Sequence, residues 1–528
     1  MIDPRVAESF VLRSFIRSVA LAGAALYANG AHAVLPACAP SILPTLSVPS
    51  HTTLTNANLK STAGVEYCEV TGVIGPAPSN IRFAVGLPTN NWNGRFLMAG
   101  DGGFDGSVAL PLNRLAQGYA AANSDSGHAT PAANDASWAF NNRAAEIDYG
   151  YRAAEQTTRV AKRIIQSYYD RRIEYSYFEG CSTGGRQALM AAQRDPAAFD
   201  GIVGGAPAHN LTRLAIEQNW SLRQFLPDKG KGNSVLGTIS PAQAGALNAA
   251  ALAKCDAIDG VKDGLISNPL ACKFKAAEHA CSRGADPATC LSEAQVKAVQ
   301  NVYDGPRTSS GRSLYPGKPV GSEAGWPIWL IPPLNFQGGF TFSFMNYLFF
   351  QNDPGPPPGY NWYDFNFDTD PQQGRLMARI LDAVDPDLSD FRERGGKFIL
   401  YHGWSDGLIP PQRTLEYYEA VLDENGSRHE TEKFIRFFPV PGMDHCGAIG
   451  GGLKDWDRLA PLVTWVEQGL APDHIVASQT LPDKTVRTRP LCHYPREARW
   501  TGIGNSNDAA NFECVFPSRK SDEDDDDR

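Results

Sequence analysis

Strand-like apolar runs alternate with segments of helical periodicity along residues 80–205 of the chain. The pattern predicts strands at residues 81–87, Arg95–Ala99 and 174–179, and helices at Ala153–Tyr169 and 187–192. Strands that alternate with helices in this way are typical of a parallel sheet covered on both faces. The predicted fold class is therefore α/β.

This alternation breaks from about residue 210, where proline, glycine, aromatic residues and cysteine become frequent. The run GPPPG at residues 355–359 can form neither a helix nor a central strand. The alternation then resumes with strand-like runs and a further helix: residues 397–402, 433–440 and Ala460–Gln468.

We therefore predict a core domain made of residues 34–208 and 386–517, with an insertion at residues 209–385. In α/β proteins ligands bind at the carboxyl ends of the strands. An insertion between two strands of the sheet would lie over that end, so we expect it to cover the ligand-binding site.

The first 33 residues have the three-part layout of a secretory signal peptide. Arg13 and Arg17 precede an apolar run at residues 19–28, and Ala31 and Ala33 supply the small residues of a cleavage site. This run is too short to span a bilayer, which needs about 20 residues. A buried N-terminal helix is the alternative. We predict cleavage after Ala33, a secreted or periplasmic protein, and no membrane association after cleavage.

Composition narrows the possible partners. The 528 residues carry a net charge of −9, and 42% of them are hydrophobic. This apolar fraction excludes global disorder, and the lack of a basic surplus argues against a nucleic-acid partner. Six acidic residues lie among the last seven, so residues 518–528 are predicted to be a disordered tail. In an oxidising compartment the ten cysteines are expected to form disulfides.

One serine lies in a turn that favours nucleophilic chemistry. Ser182 is the centre of a G-x-S-x-G sequence at residues 180–184, with a predicted strand before it and a predicted helix after it. This context is typical of a nucleophile elbow, which exposes the serine hydroxyl above the sheet. A glycine-rich helix N-terminus or a phosphate-binding loop is the alternative, but the lysine of a P-loop is missing. Ser182 is therefore the predicted nucleophile.

A serine nucleophile needs a base and an orienting carboxylate, which follow it here in the chain order serine, acid, histidine. His445 lies in the turn directly after the predicted strand that ends at residue 440, so it is the predicted base. Three other downstream histidines lack this position: His429, His474 and His493. Asp406, just past the strand that ends at residue 402, is the predicted acid. Asp444 is the alternative, although adjacent side chains on a turn usually diverge.

An oxyanion formed during acyl transfer needs hydrogen-bond donors. The N–H group of Thr183, the residue after the nucleophile, is one predicted donor. The glycine-rich run at residues 100–106 follows the strand Arg95–Ala99, and Gly103 or an immediate neighbour is the other. An ordinary glycine-rich turn is the alternative for this loop.

Four short motifs stand out in chain order: SDSGH at residues 124–128, GCSTGGR at 180–186, YHGWSD at 401–406 and PGMDHC at 441–446. Together they resemble the tannase/feruloyl esterase family of secreted α/β-hydrolases, over essentially the whole chain after residue 33. The resemblance implies an α/β-hydrolase fold with a large inserted lid domain, and a serine esterase without an organic cofactor. It also implies a structural calcium ion in the lid.

The same resemblance implies a disulfide between Cys181 and Cys446, the neighbours of the predicted nucleophile and base. A hydrogen bond between Ser182 and His445 would bring these cysteines near the Cα separation of roughly 4.4–6.8 Å that a disulfide requires. The other eight cysteines are paired by proximity in sequence, although sequence alone leaves the connectivity open: Cys38–Cys68, Cys255–Cys272, Cys281–Cys290 and Cys492–Cys514.

We assign the calcium ion to an acidic loop in the insertion. Asp256, Asp259 and Asp263 place three carboxylates within eight residues, and Val261 and Leu265 can supply carbonyl oxygens. Ca²⁺ prefers about six to eight oxygen ligands. The spacing is not that of an EF-hand, and a solvated acidic turn is the alternative.

The composition of the insertion indicates the class of substrate. It is rich in aromatic residues and has no lysine or arginine from residue 319 to residue 374. Aromatic rings that face Ser182 would form a slot for a planar ring, whereas a substrate carboxylate usually calls for a cation. We predict a small aromatic ester substrate of the hydroxycinnamoyl (feruloyl) type. The alternatives are a galloyl ester, as in a tannase, a terephthalate monoester, and a non-catalytic binding protein with the same fold.

Overall fold

The computed structural model describes residues 35–130, 132–226, 238–357, 359–449 and 451–517. The predicted signal peptide, residues 1–33, and the predicted acidic tail, residues 518–528, lie outside the described residues. From Ala37 onwards the chain forms one compact unit. Within the described ranges, no helix combines the length and the apolar character needed to cross a membrane.

A nine-stranded sheet forms the centre of the molecule. Its strands are β1 (Thr52–Thr62), β2 (Val65–Ile74), β3 (Ile81–Pro88), β4 (Arg95–Ala99), β5 (Ala120–Ser124), β6 (Tyr175–Cys181), β7 (Gly201–Gly205), β8 (Lys397–Gly403) and β9 (Ile435–Val440). Their spatial order is β1-β2-β3-β5-β4-β6-β7-β8-β9. The pairs from β5–β4 through β8–β9 are parallel, whereas β1, β2, β3 and β5 pair antiparallel. The predicted α/β class is confirmed, with an antiparallel extension on one side.

Every strand predicted from the sequence is present, and its ends agree to within about two residues. Four strands of the sheet were not predicted: β1, β2, β5 and β7. Strand β1 is an edge strand with mostly exposed side chains, so it lacks a clear apolar alternation. Strands β5 and β7 consist mainly of alanine and glycine, which have little β propensity of their own. These two strands form because neighbouring strands and helices bury them.

Helices cover the sheet and fill the insertion. They are α1 (Leu112–Ala116), α2 (Arg143–Ile147), α3 (Ala153–Tyr169), α4 (Thr183–Arg194), α5 (Leu211–Phe225), α6 (Pro241–Cys255), α7 (Glu293–Asp304), α8 (Trp326–Trp329), α9 (Phe336–Tyr347), α10 (Arg375–Leu381), α11 (Ser389–Glu393), α12 (Pro411–Asn425), α13 (Arg428–Thr431) and α14 (Ala460–Gln468). Two antiparallel pairs follow: β10 (His474–Thr480) with β11 (Val486–Cys492), and β12 (Glu497–Trp500) with β13 (Phe512–Val515).

Both faces of the sheet are packed against helices. At β7, a side chain added at Gly201 would meet Leu462 of α14, and one added at Gly204 would meet Ala188 of α4. Residues separated by an odd number along a strand face opposite sides of the sheet. Helices α14 and α4 therefore lie on opposite faces, as expected for a parallel sheet.

The insertion leaves and re-enters the sheet between neighbouring strands. Strands β7 and β8 pair side by side, although residues 206–396 separate them in the chain. In its described part this segment contains helices α5 to α11 and no β-strand. Buried side chains from Leu222 to Ile331 form a hydrophobic cluster of their own. The insertion thus starts at the carboxyl end of β7 and finishes at the amino end of β8.

Candidate active site

Ser182 lies between the end of β6 and the start of α4, in a strained backbone conformation. Its φ is 64° and its ψ is −119°, a region that residues other than glycine rarely adopt. The Ser182 N–H donates to the carbonyl of Gly205, and the Ser182 carbonyl accepts from the N–H groups of Arg186 and Ala208. Such strain persists only where surrounding contacts fix it. The turn therefore has the strand–sharp turn–helix geometry that the predicted nucleophile elbow requires.

Two glycines after the serine allow neighbouring backbone to approach the elbow closely. A Cβ added at Gly184 would lie 2.9 Å from the Asp101 carbonyl oxygen, and one added at Gly185 would lie 2.2 Å from the Gly205 carbonyl oxygen. Real Cβ atoms do not approach oxygen so closely. The glycine-rich sequence after Ser182 thus brings α4 against both β7 and the loop that follows β4.

A histidine and an aspartate complete a hydrogen-bonded chain with Ser182. Nε2 of His445 lies 3.0 Å from Oγ of Ser182, and Nδ1 of His445 lies 2.7 Å from Oδ2 of Asp406. Both His445 and Asp406 are buried. Asp406 follows β8 and His445 follows β9, so the carboxyl ends of three parallel strands bring the three side chains together. The structure brings the three predicted residues together at this edge of the sheet.

Asp406 is held in its ionised form by its donors. Its Oδ1 accepts from the N–H groups of Leu408 and Ile409, each at 2.8 Å. Burial alone would raise the pKa of Asp406, but the His445 charge and the hydrogen bonds from His402 and His445 lower it below its usual range. Burial lowers the pKa of His445, and Asp406 more than offsets this, so that the pKa of His445 is raised. The pair is arranged to accept and hold a proton on the imidazole.

His402 is a second histidine on the same carboxylate, and its position in the sequence had not indicated a role in the site. Its Nε2 lies 3.0 Å from Asp406 Oδ2 and 3.1 Å from the Ile409 carbonyl oxygen, and its Nδ1 lies 2.8 Å from Thr414 Oγ1. Both partners of Nε2 are acceptors, so Nε2 carries the hydrogen. Its place in the YHGWSD run was the available signal, but a residue at the end of an apolar strand is usually interpreted as core.

Asp444, the alternative acid, points away from the imidazole ring. Its Oδ1 accepts from the N–H groups of His445 and Gly407, and its Oδ2 accepts from Nε1 of Trp329 at 2.9 Å. Burial and the nearby charge of Asp406 raise the pKa of Asp444. This residue therefore caps the turn that carries His445. The other downstream histidines lie elsewhere, with His429 and His474 exposed and His493 hydrogen-bonded to Tyr494.

Five disulfides are formed, and their pairing is the one proposed from the sequence: Cys38–Cys68, Cys181–Cys446, Cys255–Cys272, Cys281–Cys290 and Cys492–Cys514. The Cα atoms of Cys181 and Cys446 are 6.1 Å apart. These cysteines directly flank Ser182 and His445 in the chain. This bridge therefore links the turn that carries the serine to the turn that carries the histidine.

The loop after β4 lies beside Ser182, as predicted. Neither the N–H of Gly103 nor that of Thr183 donates a hydrogen bond to any described residue. The Gly103 carbonyl accepts from the hydroxyl groups of Tyr149, at 2.9 Å, and Thr183. These contacts fix the orientation of the loop and leave two N–H groups free next to the serine.

Ser182 lines a pocket with mostly apolar walls. The lining residues are Gly103, Phe104, Ser182, Thr183, Ala208, Leu211, Leu214, Ala215, Gln218, Phe340, Phe344, Leu408 and Ile409. None of these described residues carries a formal charge. Phe104 and Phe340 meet edge to face with ring centroids 5.3 Å apart. The insertion supplies the outer wall through α5 and α9.

The predicted calcium site is not supported. The carboxylate of Asp256 accepts from three backbone N–H groups, those of Asp263, Gly264 and Leu265. Val261 and Leu265, the predicted carbonyl ligands, donate their N–H groups to Asp259 and Asp263. The carboxylates of this loop are thus hydrogen-bonded to backbone N–H groups of the loop itself.

The remaining oxygen of Asp263 pairs with Arg489 of β11. Across the described ranges, no three His, Cys, Asp or Glu side chains converge on a site that could hold a metal ion. The spacing of carboxylates along a chain does not reveal which donors their oxygens face. This is why the sequence suggested a calcium loop where the structure has an acidic turn closed by its own N–H groups and an arginine.

Known proteins are similar to this chain over most of its length. The sequence profile of the family described as "Tannase and feruloyl esterase" matches residues 68–515. The chain belongs to this family. The predicted α/β-hydrolase fold and the predicted class of enzyme, a carboxylic-ester hydrolase, are confirmed.

Individual proteins similar to this chain are also named as esterases or as ester hydrolases. An uncharacterized esterase of Xanthomonas campestris pv. campestris is 36% identical over 96% of this chain and 96% of its own. The mono(2-hydroxyethyl) terephthalate hydrolase of Piscinibacter sakaiensis is 34% identical over 87% of each chain. The crystal structure of feruloyl esterase B from Aspergillus oryzae superposes with a TM-score of 0.79 at 28% identity, covering 88% of this chain and 97% of that one.

Proposed function

We propose that this esterase hydrolyses esters of neutral aromatic acids, of the hydroxycinnamoyl or feruloyl type, through an acyl-enzyme on Ser182. The observation that carries the proposal is the hydrogen-bonded chain from Ser182 through His445 to Asp406, set beside an apolar and uncharged pocket. The chain of hydrogen bonds supplies the chemistry, and the pocket supplies the preference for the acyl group.

In the first half of the reaction, Oγ of Ser182 attacks the ester carbonyl carbon while Nε2 of His445 takes the hydroxyl proton. Asp406 keeps Nδ1 of His445 protonated and stabilises the imidazolium. The N–H groups of Gly103 and Thr183 hold the oxyanion of the tetrahedral intermediate. The carbon–oxygen bond to the alcohol then breaks, and His445 delivers its proton to the leaving alkoxide.

The second half regenerates the enzyme with water. His445 removes a proton from a water molecule, whose oxygen attacks the acyl-enzyme carbonyl. The same two N–H groups hold the second oxyanion. The bond between the acyl carbon and Ser182 Oγ breaks, the serine regains a proton from His445, and the carboxylic acid is released. The raised pKa of His445 suits both proton transfers, since the imidazole must bind a proton in each.

The pocket favours a planar, uncharged acyl group. Phe104, Phe340 and Phe344 line it with aliphatic side chains from α5, and aromatic rings bind planar apolar surfaces well. A substrate carboxylate buried here would have no cation partner among the lining residues, and an unpaired buried charge is costly. Neutral feruloyl, coumaroyl and galloyl groups avoid that cost.

A terephthalate monoester is the second candidate, because a relative with 34% identity is named as a hydrolase of such an ester. Its free carboxylate would need a cation that the lining lacks. Galloyl esters, as cleaved by a tannase, share the neutral charge of feruloyl esters. Relative kcat/KM on methyl ferulate, methyl gallate and a terephthalate monoester therefore separates the three.

The test uses purified enzyme with the Ser182→Ala variant as a control. We expect methyl ferulate to have the highest kcat/KM and the terephthalate monoester the lowest. A preference for the carboxylate-bearing ester would overturn the substrate proposal and leave the triad standing. A fluorophosphonate probe that fails to label wild type, or labels Ser182→Ala equally, would overturn the triad and favour a non-catalytic binding protein.

We also propose that residues 209–385 act as a lid on a catalytic domain formed by residues 34–208 and 386–517. The support is that Leu211, Leu214, Phe340 and Phe344, all from the insertion, line the pocket opposite Ser182. Five disulfides support an oxidising location, secreted or periplasmic, in line with the signal peptide predicted at residues 1–33. Detection of the mature chain outside the cytoplasm would test this location.

A further inference from the structure

The loop at residues 100–106, here called the oxyanion loop, contains two aspartates that the proposed mechanism does not use. Asp101 and Asp105 lie on either side of Gly103. Asp101 is buried, and one oxygen of Asp105 is buried as well. Buried carboxyl groups outside the triad need an explanation, because burial of a charge without a partner is costly.

Three side-chain donors converge on the carboxylate of Asp101. The Ser126 hydroxyl donates to Oδ2 at 2.6 Å, Nε2 of Gln187 donates to Oδ2 at 2.8 Å, and Nδ2 of Asn123 donates to Oδ1 at 2.8 Å. Each is a neutral amide or hydroxyl donor, and such donors favour the ionised form of a carboxyl group. Burial raises the pKa of Asp101, and the three donors act against burial by favouring the ionised form. Of the two aspartates in the loop, Asp101 is the one whose neighbours stabilise an anion.

The backbone of Asp101 ties the oxyanion loop to the helix that follows the nucleophile. Its N–H donates to Oε1 of Gln187 at 3.0 Å, and its carbonyl accepts from the N–H of Gly184 at 2.8 Å. Gly184 and Gln187 both belong to α4, which starts one residue after Ser182. The position of the loop relative to the serine thus depends on Asp101.

Asp105 has the opposite environment. Its Oδ1 accepts from the N–H and the hydroxyl of Ser107, but its buried Oδ2 faces no donor among the described residues. The Asp105 carboxyl lies within hydrogen-bonding reach of the Asp101 carboxyl. Two carboxyl groups in contact cannot both be ionised, so they share a proton. Since the donors surround Asp101, the proton belongs on Asp105.

The other titratable groups near Asp105 are either neutral at pH 7 or already paired with an opposite charge. Burial lowers the pKa of His128 to about 4, so this ring is neutral at pH 7. Arg82 pairs with Asp125, and burial raises the pKa of the Tyr149 hydroxyl. Burial and the charge of Asp101 raise the pKa of Asp105 to about 9. Asp105 is therefore the group in this cluster that titrates at mildly alkaline pH.

We propose that Asp101 and Asp105 are positioning residues for the oxyanion donor. Asp105 is a neutral carboxylic acid at pH 7 whose O–H donates a hydrogen bond to the ionised Asp101, and the pair holds the Gly103 N–H against Ser182. The inference rests on the proposed roles of Ser182 and Gly103. Loss of the proton at alkaline pH places two negative charges side by side and displaces the loop, so kcat falls while KM changes little.

Variants of Asp105 separate a proton donor from a merely structural group. The φ of Asp105 is 27°, so asparagine and glycine are compatible replacements there. In Asp105→Asn the amide N–H donates to Asp101 at every pH. We expect it to keep most of the wild-type kcat at pH 7 and to lose the alkaline decline. Asp105→Gly lacks any donor, and its kcat falls by about tenfold or more at pH 7.

Asp101→Asn replaces one carboxylate oxygen by an NH₂ group, which cannot accept hydrogen bonds from the surrounding donors. We expect kcat to fall by about 100-fold with KM nearly unchanged, as for removal of one oxyanion donor. Asp170→Asn, on an exposed left-handed residue, is the matched control and keeps the wild-type pH profile. An Asp105→Asn enzyme with the same alkaline decline as wild type overturns the proposal, as does an Asp105→Gly enzyme with full kcat.

Two readouts do not depend on the substrate that the enzyme prefers. The infrared difference spectrum between wild type and Asp105→Asn at pH 7 should contain the carbonyl stretch of a protonated carboxyl group. This band should disappear above the Asp105 pKa of about 9. The rate at which a fluorophosphonate labels Ser182 should fall over the same pH range. If no aromatic ester is hydrolysed but the band is present, the substrate proposal fails alone. If the band is absent, the shared proton is refuted whatever the substrate.

Discussion

The proposed acid–base side and the proposed oxyanion side of the site each contain a buried carboxyl group, and we assign these groups opposite charge states. On the acid–base side, Asp406 accepts from His445, His402 and two backbone N–H groups, and its pKa lies below the usual range. On the oxyanion side, Asp105 has a buried oxygen without a donor beside a second carboxyl, and its pKa is raised to about 9. Burial acts in the same direction on both, so the neighbours decide the charge.

The two groups also give opposite pH dependence to stability. The pKa of Asp406 is lower in the folded chain than in the unfolded chain, so its contribution is present above the unfolded pKa of about 3.9 and is lost as the pH falls through the folded value. The pKa of Asp105 is raised, so its contribution is complete below the unfolded value and is lost as the pH rises through about 9. Together these two groups favour the folded state most near the unfolded carboxyl pKa of about 3.9, and their joint contribution declines as the pH moves away from it in either direction.

The largest predicted effect on kcat comes from a substitution that removes the charge of Asp406. In Asp406→Asn the hydrogen bond to His445 no longer selects the tautomer with a proton on Nδ1, and no anion stabilises the imidazolium. We expect kcat to fall by about 10⁴-fold with little change in KM, by analogy with the same replacement in serine proteases. Steady-state kinetics on an aromatic ester measures this.

The control for this variant is Asp444→Asn on the neighbouring turn. Asp444 accepts only N–H donors and does not contact the imidazole ring. Its replacement should lower kcat far less than Asp406→Asn. Equal losses in the two variants would mean that the acid has been assigned to the wrong residue.

The second prediction concerns the link between the two catalytic turns. The Cys181–Cys446 bridge spans 265 residues and the Cys255–Cys272 bridge spans 17. Replacing both cysteines by alanine should lower the free energy of unfolding by about 5 kcal/mol for the long bridge and about 3 kcal/mol for the short one, from loop-closure entropy. Chemical denaturation of the two double variants measures the difference.

Activity distinguishes these bridges further. Loss of Cys181–Cys446 should also lower kcat, because the bridge joins the neighbours of Ser182 and His445. Loss of Cys255–Cys272 should leave kcat at the wild-type value, since that bridge lies in the insertion. Full kcat without the long bridge would show that the hydrogen bonds alone hold the two turns together.

Local sequence context predicted the parts of the site that follow from strand order. Ser182, Asp406 and His445 each come directly after a buried strand, and that position alone brings them together. The sequence did not reveal which donors a carboxylate meets, because these come from distant segments. Asp101 and Asp105 looked like part of a glycine-rich turn, and Asp256 looked like a calcium ligand, although its partners are the N–H groups of its own loop.

The same reasoning explains the parts of the fold that were missed. Strands β5 and β7 are made of alanine and glycine, so only their neighbours in the sheet define them. His402 looked like part of a buried strand because its polar function depends on Thr414, twelve residues later, as well as on Asp406. Long-range partners of this kind leave no periodic pattern in the chain.

The third prediction tests how much the hydrogen bond from His402 stabilises the ionised form of Asp406. In His402→Asn the N–H at the Nε2 position is lost, whereas in His402→Gln the longer amide keeps a donor near that position. A hydrogen bond to a charged group contributes about 1.5–3 kcal/mol, so we expect His402→Asn to lower the free energy of unfolding by about that amount. Chemical denaturation should show a smaller loss for His402→Gln.

The acid limb of the pH profile gives a separate readout for His402. With one donor fewer, Asp406 becomes more basic and holds the imidazolium more strongly, so the pKa of His445 rises. The midpoint of the acid limb of kcat/KM should therefore move to higher pH in His402→Asn and move less in His402→Gln. An unchanged midpoint in both variants would assign His402 to packing.

The smallest predicted effect concerns Trp329, which contacts the acid–base side from the insertion. Its Nε1 donates to Asp444 at 2.9 Å, and its ring meets the His445 ring edge to face at 5.8 Å. Trp329→Phe removes the donor and keeps an aromatic ring, so it should cost about 1 kcal/mol of unfolding free energy and lower kcat only a few-fold. Trp329→Ala removes both contacts and should cost more in each measurement. If Trp329→Phe is as impaired as Trp329→Ala, the hydrogen bond to Asp444, and not the ring, is what holds the histidine turn in place.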